Sequence, residues 1–467
     1  MAQLAIPRLI IGAPKSGSGK TTVVCALLQL LRQRGMKTTA FKNGPDYIDP
    51  MFHAQVLGVP SYNLDLFLFG GEAGGIRTAR QLIARHTGNT ALAVIEGAMG
   101  YYDGIAATSE ASTYALAGAV SAPAVLVVDG KGAALSLAAQ IKGLAEFRTD
   151  SHITGFIVNN VSRSVYDYFK DIWKRETGLI PLGYIPVMED CRLSSRHLGL
   201  ITADEIKNLR QIMNKLAAQA EQSIDVEGIL RLARSAPELS YDPVVIPSGT
   251  PVRIAVAKDK AFCFYYEDAL DLLTQMGAEI IPFSPLTDAR LPLCDGIYLG
   301  GGYPELYAQE LQQNTSMREN IRKAIQQGMP CLGECGGFMY LLEQFRQDQQ
   351  TRNWAGAIKG TCAMTSGLIR FGYVTLVARQ NTLLCRAGES IRAHEFHYSD
   401  STHNGSAFTA HKALGKRSWP CIYAQGNLLA GYPHIHLWGN PKWAWNFLEA
   451  CRQYKTGVRQ CKSRRTP

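Results

Sequence analysis

Short apolar runs alternate with amphipathic stretches along this chain, in two successive blocks. In the first block, runs such as RLIIGA (residues 8–13) and APAVLVVD (122–129) separate stretches whose apolar residues have helical spacing. Uninterrupted apolar strands between amphipathic helices are typical of a parallel sheet with helices on both faces. The alternation begins again with VRIAVA (252–257) and DGIYLG (295–300). The sequence therefore predicts two α/β domains.

A proline-rich segment separates the two blocks. Residues 235–251 contain four prolines and show no helical spacing, so we expect a linker there. A chain of 467 residues is also too long for one ordinary core. We therefore expect one domain at residues 1–234, closed by a single helix from Ala203 to Ala233, and a second domain at residues 252–450.

Composition argues against several classes of protein. The chain has no run of 18 uninterrupted apolar residues and no basic N-terminus followed by an apolar stretch, so we expect neither a membrane span nor a secretion signal. Eleven cysteines without a C-x-x-C pair predict free thiols in the cytoplasm. The net charge of +9 comes partly from residues 451–467, which we expect to form a solvated, frayed tail rather than a nucleic-acid arm. Basic residues cluster in this tail at Lys455, Arg459, Lys462, Arg464 and Arg465.

The segment APKSGSGKTT (residues 13–22) predicts a phosphate-binding loop, since it follows an apolar strand and opens a helix. Pro14 stands where the first glycine of the common G-x-x-x-x-G-K-[ST] pattern is found. Glycines allow backbone N–H groups to surround phosphates at a helix N-terminus. We expect Lys20 to reach the outer phosphates of ATP and Thr21 to bind Mg²⁺. The other predicted nucleotide-binding residues of this loop are Lys15, Gly17, Gly19 and Thr22.

Acidic residues follow two further predicted strands. Asp46 and Asp49 lie in FKNGPDYIDP (residues 41–50), where the flanking prolines argue against a regular helix. Glu96 ends a strand and Asp103 lies in the glycine-rich loop after it. A carboxylate at a strand end beside a phosphate loop is a common magnesium ligand. The combination predicts a nucleotide and Mg²⁺ site at one edge of the sheet.

The second block contains Gly333-Glu334-Cys335-Gly336-Gly337, which predicts a nucleophile elbow between a strand and a helix. We expect the helix N-terminus to lower the pKa of the Cys335 thiol and the Gly336 N–H to bind an oxyanion. The glycines of LGGGYPE, Gly301 and Gly302, could supply a second oxyanion donor or form a tight turn. A thiol nucleophile needs a base. The candidates are two histidine pairs, His394 with His397 and His434 with His436, and the sequence leaves that choice open.

Six segments in this order resemble the cobyrinic acid a,c-diamide synthases of cobalamin biosynthesis. They are APKSGSGKTT, FKNGPDYIDP, VIEGAMGYYDG, LGGGYPEL, ECGGFMYL and HEFHYS, and the resemblance extends from about residue 8 to about residue 440. It implies an N-terminal, dethiobiotin-synthetase-like phosphate-loop domain with a parallel sheet. It also implies a C-terminal class I glutamine amidotransferase domain with a flavodoxin-like fold.

The resemblance also implies a reaction. The first domain uses ATP to convert a substrate carboxylate into an acyl phosphate, and the second releases ammonia from glutamine through a glutamyl thioester. The implied substrates are a corrinoid polycarboxylate, L-glutamine and ATP, with Mg²⁺ at the phosphates. We expect neither nucleic acid nor a membrane as a partner.

Individual roles carry over by position. The resemblance implies that Cys335 is the nucleophile and His434 the base of the glutaminase domain. At the ATP site it implies Lys20 at the phosphates, Thr21, Asp46 and Glu96 at the metal, Asp49 and Asp103 in substrate activation, and Asn159 at the adenine. Two positions depart from common patterns. His436 stands where many class I glutaminases have glutamate, which leaves the third triad member open, and Ala393 stands where glycine is usual.

Two alternatives remain at this stage. The same chemistry could act on another tetrapyrrole, such as hydrogenobyrinate, nickel sirohydrochlorin or sirohaem. The second alternative is an ATP-dependent switch of the partitioning type. It is supported by Lys15, which stands where such ATPases carry a lysine that crosses a homodimer interface. A switch has no use for the cysteine elbow, so Cys335 favours the amidase.

Overall fold

The computed structural model describes residues 2–88, 90–191 and 203–463. Within them the chain forms two compact units. The first comprises Met1–Phe67 and Gly71–Val244, and the second comprises Leu68–Gly70 and Val245–Pro467. None of the helices in the described ranges is long and apolar enough to cross a membrane.

The first unit is built on a seven-stranded sheet. Along the chain, the strands of this unit are β1 (Ala2–Leu4), β2 (Arg8–Gly12), β3 (Thr38–Asn43), β4 (Ser61–Leu64), β5 (Leu92–Glu96), β6 (Ala124–Asp129), β7 (Ile153–Asn159), β8 (Ile180–Ile185) and β9 (Leu239–Tyr241). The sheet order is β4-β3-β5-β2-β6-β7-β8, and each pairing is parallel. The parallel sheet that the apolar runs predict is therefore confirmed.

Helices connect these strands, as parallel pairing requires. They are α1 (Lys20–Gln33), α2 (Ile48–Gln55), α3 (Gly71–Thr87), α4 (Thr113–Ala119), α5 (Ser136–Glu146), α6 (Arg163–Thr177), α7 (Ala203–Ser223) and α8 (Val226–Arg234). Apolar residues of α1, α7 and α8 pack against the central strands in one large core. Strands β2 and β5 are buried along their whole length, so the loops that follow them are held at fixed positions on the sheet edge.

The single helix expected from Ala203 to Ala233 is wrong, since two helices occupy this range. The break lies at Asp225, whose side chain accepts a hydrogen bond from the Gly228 N–H at 2.8 Å and so caps α8. The Asp225 N–H donates to the Leu182 carbonyl at 2.9 Å instead of continuing α7. Aspartate favours helix caps over helix interiors because its side chain competes for backbone N–H groups.

The start of the proline-rich segment belongs to the first unit. Strand β9 pairs antiparallel with β1, with Ala2 opposite Tyr241. Arg8, fully buried in β2, reinforces this closure. Its guanidinium donates to four carbonyls, those of Ile6, Val120, Ser121 and Pro237. Only the later part of residues 235–251, beyond Val244, leads into the second unit.

Replacement of Arg8 by leucine is expected to lower the free energy of unfolding by about 3 kcal/mol, because buried carbonyls lose a charged donor. Urea denaturation followed by circular dichroism measures the change. Arg77→Leu is the matched control, since Arg77 lies exposed in α3. Equal stability of the two variants would contradict the role of Arg8 in closing the unit.

The second unit contains the remaining elements. Its strands are β10 (Val252–Ala257), β11 (Phe262–Phe264), β12 (Ala278–Phe283), β13 (Gly296–Leu299), β14 (Gly301–Gly302), β15 (Cys331–Glu334), β16 (Leu342–Gln347), β17 (Gln350–Asn353), β18 (Ile358–Met364), β19 (Arg370–Ala378), β20 (Ser390–His397), β21 (Ser399–Ser401), β22 (Phe408–Lys412), β23 (Ser418–Cys421), β24 (Tyr423–Gln425), β25 (Leu428–Gly431) and β26 (His434–Ile435). Its helices are α9 (Glu267–Gln275), α10 (Ala308–Gln313), α11 (Thr315–Gln326), α12 (Gly336–Leu341) and α13 (Pro441–Ser463).

Two sheets of the second unit determine where its functional residues lie. A six-stranded sheet has the order β12-β10-β13-β15-β25-β24, parallel except for the edge strand β24. A five-stranded antiparallel sheet has the order β23-β22-β19-β20-β26. The first sheet carries the cysteine elbow at the end of its interior strand β15, and the second carries His434 in β26.

The frayed tail expected at residues 451–467 is wrong for its first part, because α13 continues to Ser463. Cys451 is buried, and the Arg452 guanidinium donates to the carbonyls of Thr250 and Met276. Lys455 donates to the Pro251 carbonyl. Helix α13 is thus fixed to the start of the six-stranded sheet. Arg464 and Arg465 lie outside the described residues.

Candidate active sites

The phosphate loop lies between β2 and α1, as the sequence predicts. Gly17 and Gly19 have φ angles of 82° and 90°, a left-handed conformation that favours glycine. A side chain at Gly19 would also overlap the amide of Asn159. Lys20 begins α1, and its ammonium donates to the Met99 carbonyl at 2.9 Å. Burial and the neighbouring Lys42 lower the pKa of Lys20 to about 8.

Replacement of Gly19 by alanine is expected to raise the KM for ATP about tenfold or more, because the new methyl group is strained and displaces Asn159. Steady-state turnover at varied ATP concentration measures the change. Gly143→Ala is the control, since Gly143 lies in α5 with open space around it. The same KM in both variants would contradict the proposed loop.

Two other predicted residues contact or shape the phosphate loop. The Asn159 amide, at the end of β7, donates to the Ser18 carbonyl at 3.2 Å. Asp103 accepts a hydrogen bond from the Gly100 N–H at 3.0 Å in the loop after β5. That loop contacts the phosphate loop through the Tyr101 N–H, which donates to the Ala13 carbonyl at 2.8 Å. The Lys15 side chain is exposed.

The carboxylates surround Lys42, a residue that none of the sequence motifs singles out. The ammonium of Lys42, in β3, donates to Asp49 and to Glu96, the latter at 3.1 Å, and lies 3.8 Å from Asp46. Burial alone would lower the pKa of Lys42, but Glu96 and Asp49 raise it overall. A single cation therefore holds three carboxylates together. The sign of it in the sequence is that Lys42 is charged, whereas the other residues of β3 are neutral.

The buried carboxylates differ in their charge. Burial, Glu96 and Asp46 raise the pKa of Asp49 to about 7, against the opposing effect of Lys42. Burial also acts to raise the pKa of Glu96, but Lys42, His53 and Thr21 lower it overall. Glu96 is thus the firm negative charge of the cluster. Asp49, whose pKa is raised, holds its negative charge less firmly.

The irregular loop expected around Asp46 and Asp49 is wrong, because helix α2 begins at Ile48 and contains Asp49 and Pro50. Proline is tolerated there because the N–H groups of a first helical turn have no partner within the helix. The Asp46 carboxylate accepts hydrogen bonds from the Ile48 and Asp49 N–H groups at 2.8 and 3.2 Å. Asp46 therefore stabilises the N-terminus of α2.

Oxygen donors suited to Mg²⁺ lie at the start of α1. The Thr21 hydroxyl donates to Glu96 at 2.6 Å, so one hydroxyl and one carboxylate are adjacent. Among the described residues, no group of three or more His, Cys, Asp or Glu side chains is arranged to hold a metal by itself. This pattern fits Mg²⁺, which commonly binds through one or two carboxylates and completes its coordination with phosphates and water.

The cysteine elbow has the expected backbone. Cys335 follows β15 with φ 47° and ψ −105° and caps the N-terminus of α12. Neighbouring glycines are required for steric reasons. A Cβ at Gly337 would overlap the Leu299 carbonyl, and one at Gly336 would lie 2.8 Å from the Pro304 ring. The chain can thus turn sharply at Cys335 against the end of β13.

Glycines from the adjacent loop approach the elbow. The Gly302 nitrogen lies 3.2 Å from the Cβ position of Gly336, and the Cβ position of Gly301 lies 2.6 Å from His434 Cε1. The peptide groups of both predicted oxyanion donors and the imidazole of His434 therefore share one small region. The arrangement can bring two N–H groups and one base to a group attached to Cys335.

Three of the four candidate histidines lie in one antiparallel sheet, and His436 directly follows its strand β26. Antiparallel pairing of β20 with β26 places His394 opposite His434. His397 contacts the Ser399 carbonyl at 2.7 Å and stacks on Tyr432. His436 lies 3.2 Å from Asp268. Ala393, the second departure, is buried opposite Ile435, and the structure explains no functional consequence of it.

The expected lowering of the Cys335 pKa is wrong. Burial and the nearby Glu305 carboxylate raise the pKa of the thiol to about 12, and the hydrogen bond from Gly336 only partly opposes them. Burial, His394 and His397 lower the pKa of His434 to about 3. A short helix N-terminus cannot offset the loss of solvation at this depth. The site therefore begins with a neutral thiol and a neutral imidazole.

Comparison with known proteins identifies both domains. The family model described as the CobQ/CobB/MinD/ParA nucleotide binding domain matches residues 9–260, and the CobB/CobQ-like glutamine amidotransferase domain matches residues 253–442. The cobyrinate a,c-diamide synthase of Listeria monocytogenes serotype 4b (strain F2365) is 37% identical over 441 residues, which cover 93% of this chain and 97% of the relative.

Two further relatives have the same description. The cobyrinate a,c-diamide synthase of Clostridium tetani (strain Massachusetts / E88) is 38% identical over 92% of this chain and 97% of its own. That of Salmonella typhimurium (strain LT2) is 38% identical over 95% of this chain and 98% of its own. The chain therefore belongs to the family of cobyrinate a,c-diamide synthases, glutamine-dependent amidating ligases in which an ATP-binding phosphate-loop domain precedes a glutamine amidotransferase domain.

Proposed function

We propose that this chain amidates the a- and c-acetate carboxylates of cobyrinic acid, using ATP and glutamine, in the cytoplasm. The observation that carries the proposal is that one chain combines a phosphate loop beside buried carboxylates with a cysteine elbow beside a histidine. The names of the relatives supply the substrate. The absence of disulfides among the ten described cysteines is in keeping with a reducing compartment.

In the first half-reaction, an acetate oxygen of the corrinoid attacks the γ-phosphorus of ATP. The bond to the bridging oxygen breaks, ADP leaves, and an acyl phosphate forms. Lys20 and Lys42 supply positive charge to the phosphates, and Asn159 contacts the adenine. Asp49 and Asp103 orient the substrate carboxylate. Thr21, Glu96 and Asp46 would hold Mg²⁺, which supplies further positive charge to the phosphates when bound.

In the second half-reaction, the Cys335 thiol transfers its proton to His434 and the sulfur attacks the amide carbon of glutamine. The N–H groups of Gly336 and of Gly301 or Gly302 stabilise the oxyanion. The carbon–nitrogen bond then breaks, and His434 returns the proton to the leaving nitrogen, so ammonia departs. Water hydrolyses the thioester and releases glutamate.

The two products then combine. Ammonia attacks the acyl carbon, phosphate leaves, and the new nitrogen loses a proton to give the amide. The ATP step is needed because hydroxide is a poor leaving group from a carboxylate. Release of ammonia within the protein is needed because ammonium has no free electron pair for attack.

Incubation of the purified protein with ATP, Mg²⁺, glutamine and a panel of tetrapyrrole acids tests the substrate. Cobyrinic acid should be amidated twice, with chromatography resolving the two steps and mass spectrometry counting the amides. The panel includes hydrogenobyrinate, nickel sirohydrochlorin and sirohaem. Turnover of one of these in place of cobyrinic acid would keep the chemistry and overturn the substrate assignment.

Light scattering with and without ATP tests whether Lys15 belongs to a homodimer interface.

A further inference from the structure

Glu334 is a buried acid in the glutaminase unit that belongs to none of the roles described so far. It ends β15, directly before Cys335, and is 3% exposed. One carboxylate oxygen accepts a hydrogen bond from the Ile435 N–H at 3.0 Å, and the other accepts one from the Tyr298 hydroxyl at 3.0 Å. Both donors are neutral. Among the described residues, no lysine or arginine forms an ion pair with Glu334.

The same carboxylate faces the proposed base. Its oxygen Oε2 lies 4.0 Å from Nδ1 of His434, a separation that suits an ion pair once the imidazole is protonated. The hydrogen bond to Ile435 fixes the strand that carries His434 against this carboxylate. Since Nδ1 is directed toward Glu334, Nε2 is the nitrogen left to serve Cys335.

The residue that could otherwise fill this role is engaged elsewhere. Many class I glutaminases have a glutamate two residues after the histidine base, and His436 occupies that position here. Its imidazole is fully buried, stacks on Tyr266, and pairs with Asp268 at 3.2 Å. Glu334 ends β15, directly before the nucleophile Cys335. It thus places a carboxylate near the base.

We propose that Glu334 is the third member of the glutaminase site, a positioning residue that acts through His434. It fixes the orientation of the imidazole and stabilises the imidazolium that forms when the thiol proton is transferred. This inference rests on the proposed roles of Cys335 and His434. In other hydrolases, an acid hydrogen-bonded to Nδ1 of the base fixes the tautomer in the same way.

The surrounding groups affect the charge of both Glu334 and His434. Burial raises the pKa of Glu334 to about 7, whereas the hydrogen bonds from Ile435 and Tyr298 lower it. His434, which burial and its neighbours keep neutral, gains most from a nearby negative charge when it accepts a proton. The titratable groups around the pair are Tyr298, Tyr265 and Cys335 near Glu334, and His394 and His397 near His434.

Glu334→Gln tests the proposal, because glutamine retains the shape and can bond to both Ile435 and Tyr298. We expect the glutamine-dependent kcat/KM to fall about 100-fold, with ammonia-dependent amidation unchanged. In the parent protein, the glutamine-dependent rate should fall as the pH drops below about 7, because protonation of Glu334 removes the negative charge beside His434. This dependence should be absent from Glu334→Gln, an effect that a purely structural change would not produce.

Two further variants complete the test. Glu334→Asp should recover part of the glutamine-dependent rate, and Glu310→Gln, at an exposed position, should leave both rates at their original values. A glutamine-dependent rate close to that of the parent protein in Glu334→Gln would overturn the proposal. Loss of the ammonia-dependent rate, or an unmoved pH profile, would also do so. Retention of glutamine-dependent amidation by Cys335→Ala would instead refute the proposed nucleophile.

Discussion

Replacement of Cys335 by alanine is expected to abolish glutamine-dependent amidation while amidation continues at high concentrations of ammonium. Cys335 directly precedes Gly336, which lies beside Gly302, and in the proposed mechanism its sulfur is the group that forms the thioester. The synthetase unit has its own core and its own site, so its chemistry with free ammonia should survive. Loss of the nucleophile should lower the glutamine-dependent rate by about 10⁴-fold or more.

The measurement compares amide formation from glutamine with amide formation from ammonium chloride in the same preparation. Cys331→Ala is the matched control, because Cys331 is fully buried in the same strand and faces no substrate group in the proposed mechanism. Loss of both rates in a folded Cys335→Ala protein would refute the division into two sites. Persistence of the glutamine-dependent rate would show that another group attacks glutamine.

The second large effect is expected at Lys42. Lys42→Met should lower amidation from glutamine and from ammonia alike, by about 10³-fold, because the phosphates lose a fixed positive charge. Glutamate release from glutamine should remain measurable, since Cys335 and His434 lie in the other unit. Separate assays of amide and glutamate distinguish these outcomes.

Stability needs its own control at this position. Removal of Lys42 leaves Asp49 and Glu96 buried without their cation, a change that typically lowers the free energy of unfolding by about 3–5 kcal/mol. The double variant Lys42→Met with Asp49→Asn removes one of these charges and should regain part of that stability without regaining activity. Lys37→Met, exposed just before the same strand, is the matched single control. Recovered activity in the double variant would contradict a chemical role for Lys42.

Local patterns in the sequence were sufficient for the architecture. Uninterrupted apolar strands predicted the parallel sheet, and Gly19-Lys20-Thr21 between a strand and a helix predicted the phosphate loop. Local signals failed where two rules compete. Pro50 argued against a helix, yet a proline in the first helical turn removes no hydrogen bond, so α2 forms around it.

The content of the sites depended on contacts between distant residues, which spacing along the chain does not reveal. The contact of Lys42 with Glu96 arises only because β5 pairs with β3 and so places the two residues side by side. His394 and His434 become neighbours only through the pairing of β20 with β26. The pKa of Cys335 follows from how deeply its sulfur is buried, and the motif around it contains no measure of that depth.

The closure of the first unit by β1 and β9 has a consequence for synthesis on the ribosome. These strands are the first and last of the unit, so the sheet partner of Ala2–Leu4 is available only after residue 241 has been made. The Arg8 guanidinium likewise cannot donate its hydrogen bond to the Pro237 carbonyl until residue 237 has been made. The nascent nucleotide-binding unit therefore completes its fold late, when the start of the glutaminase is already in the exit tunnel. A recombinant fragment cut at residue 234 would lack this closure, and one that ends at Val244 would retain it.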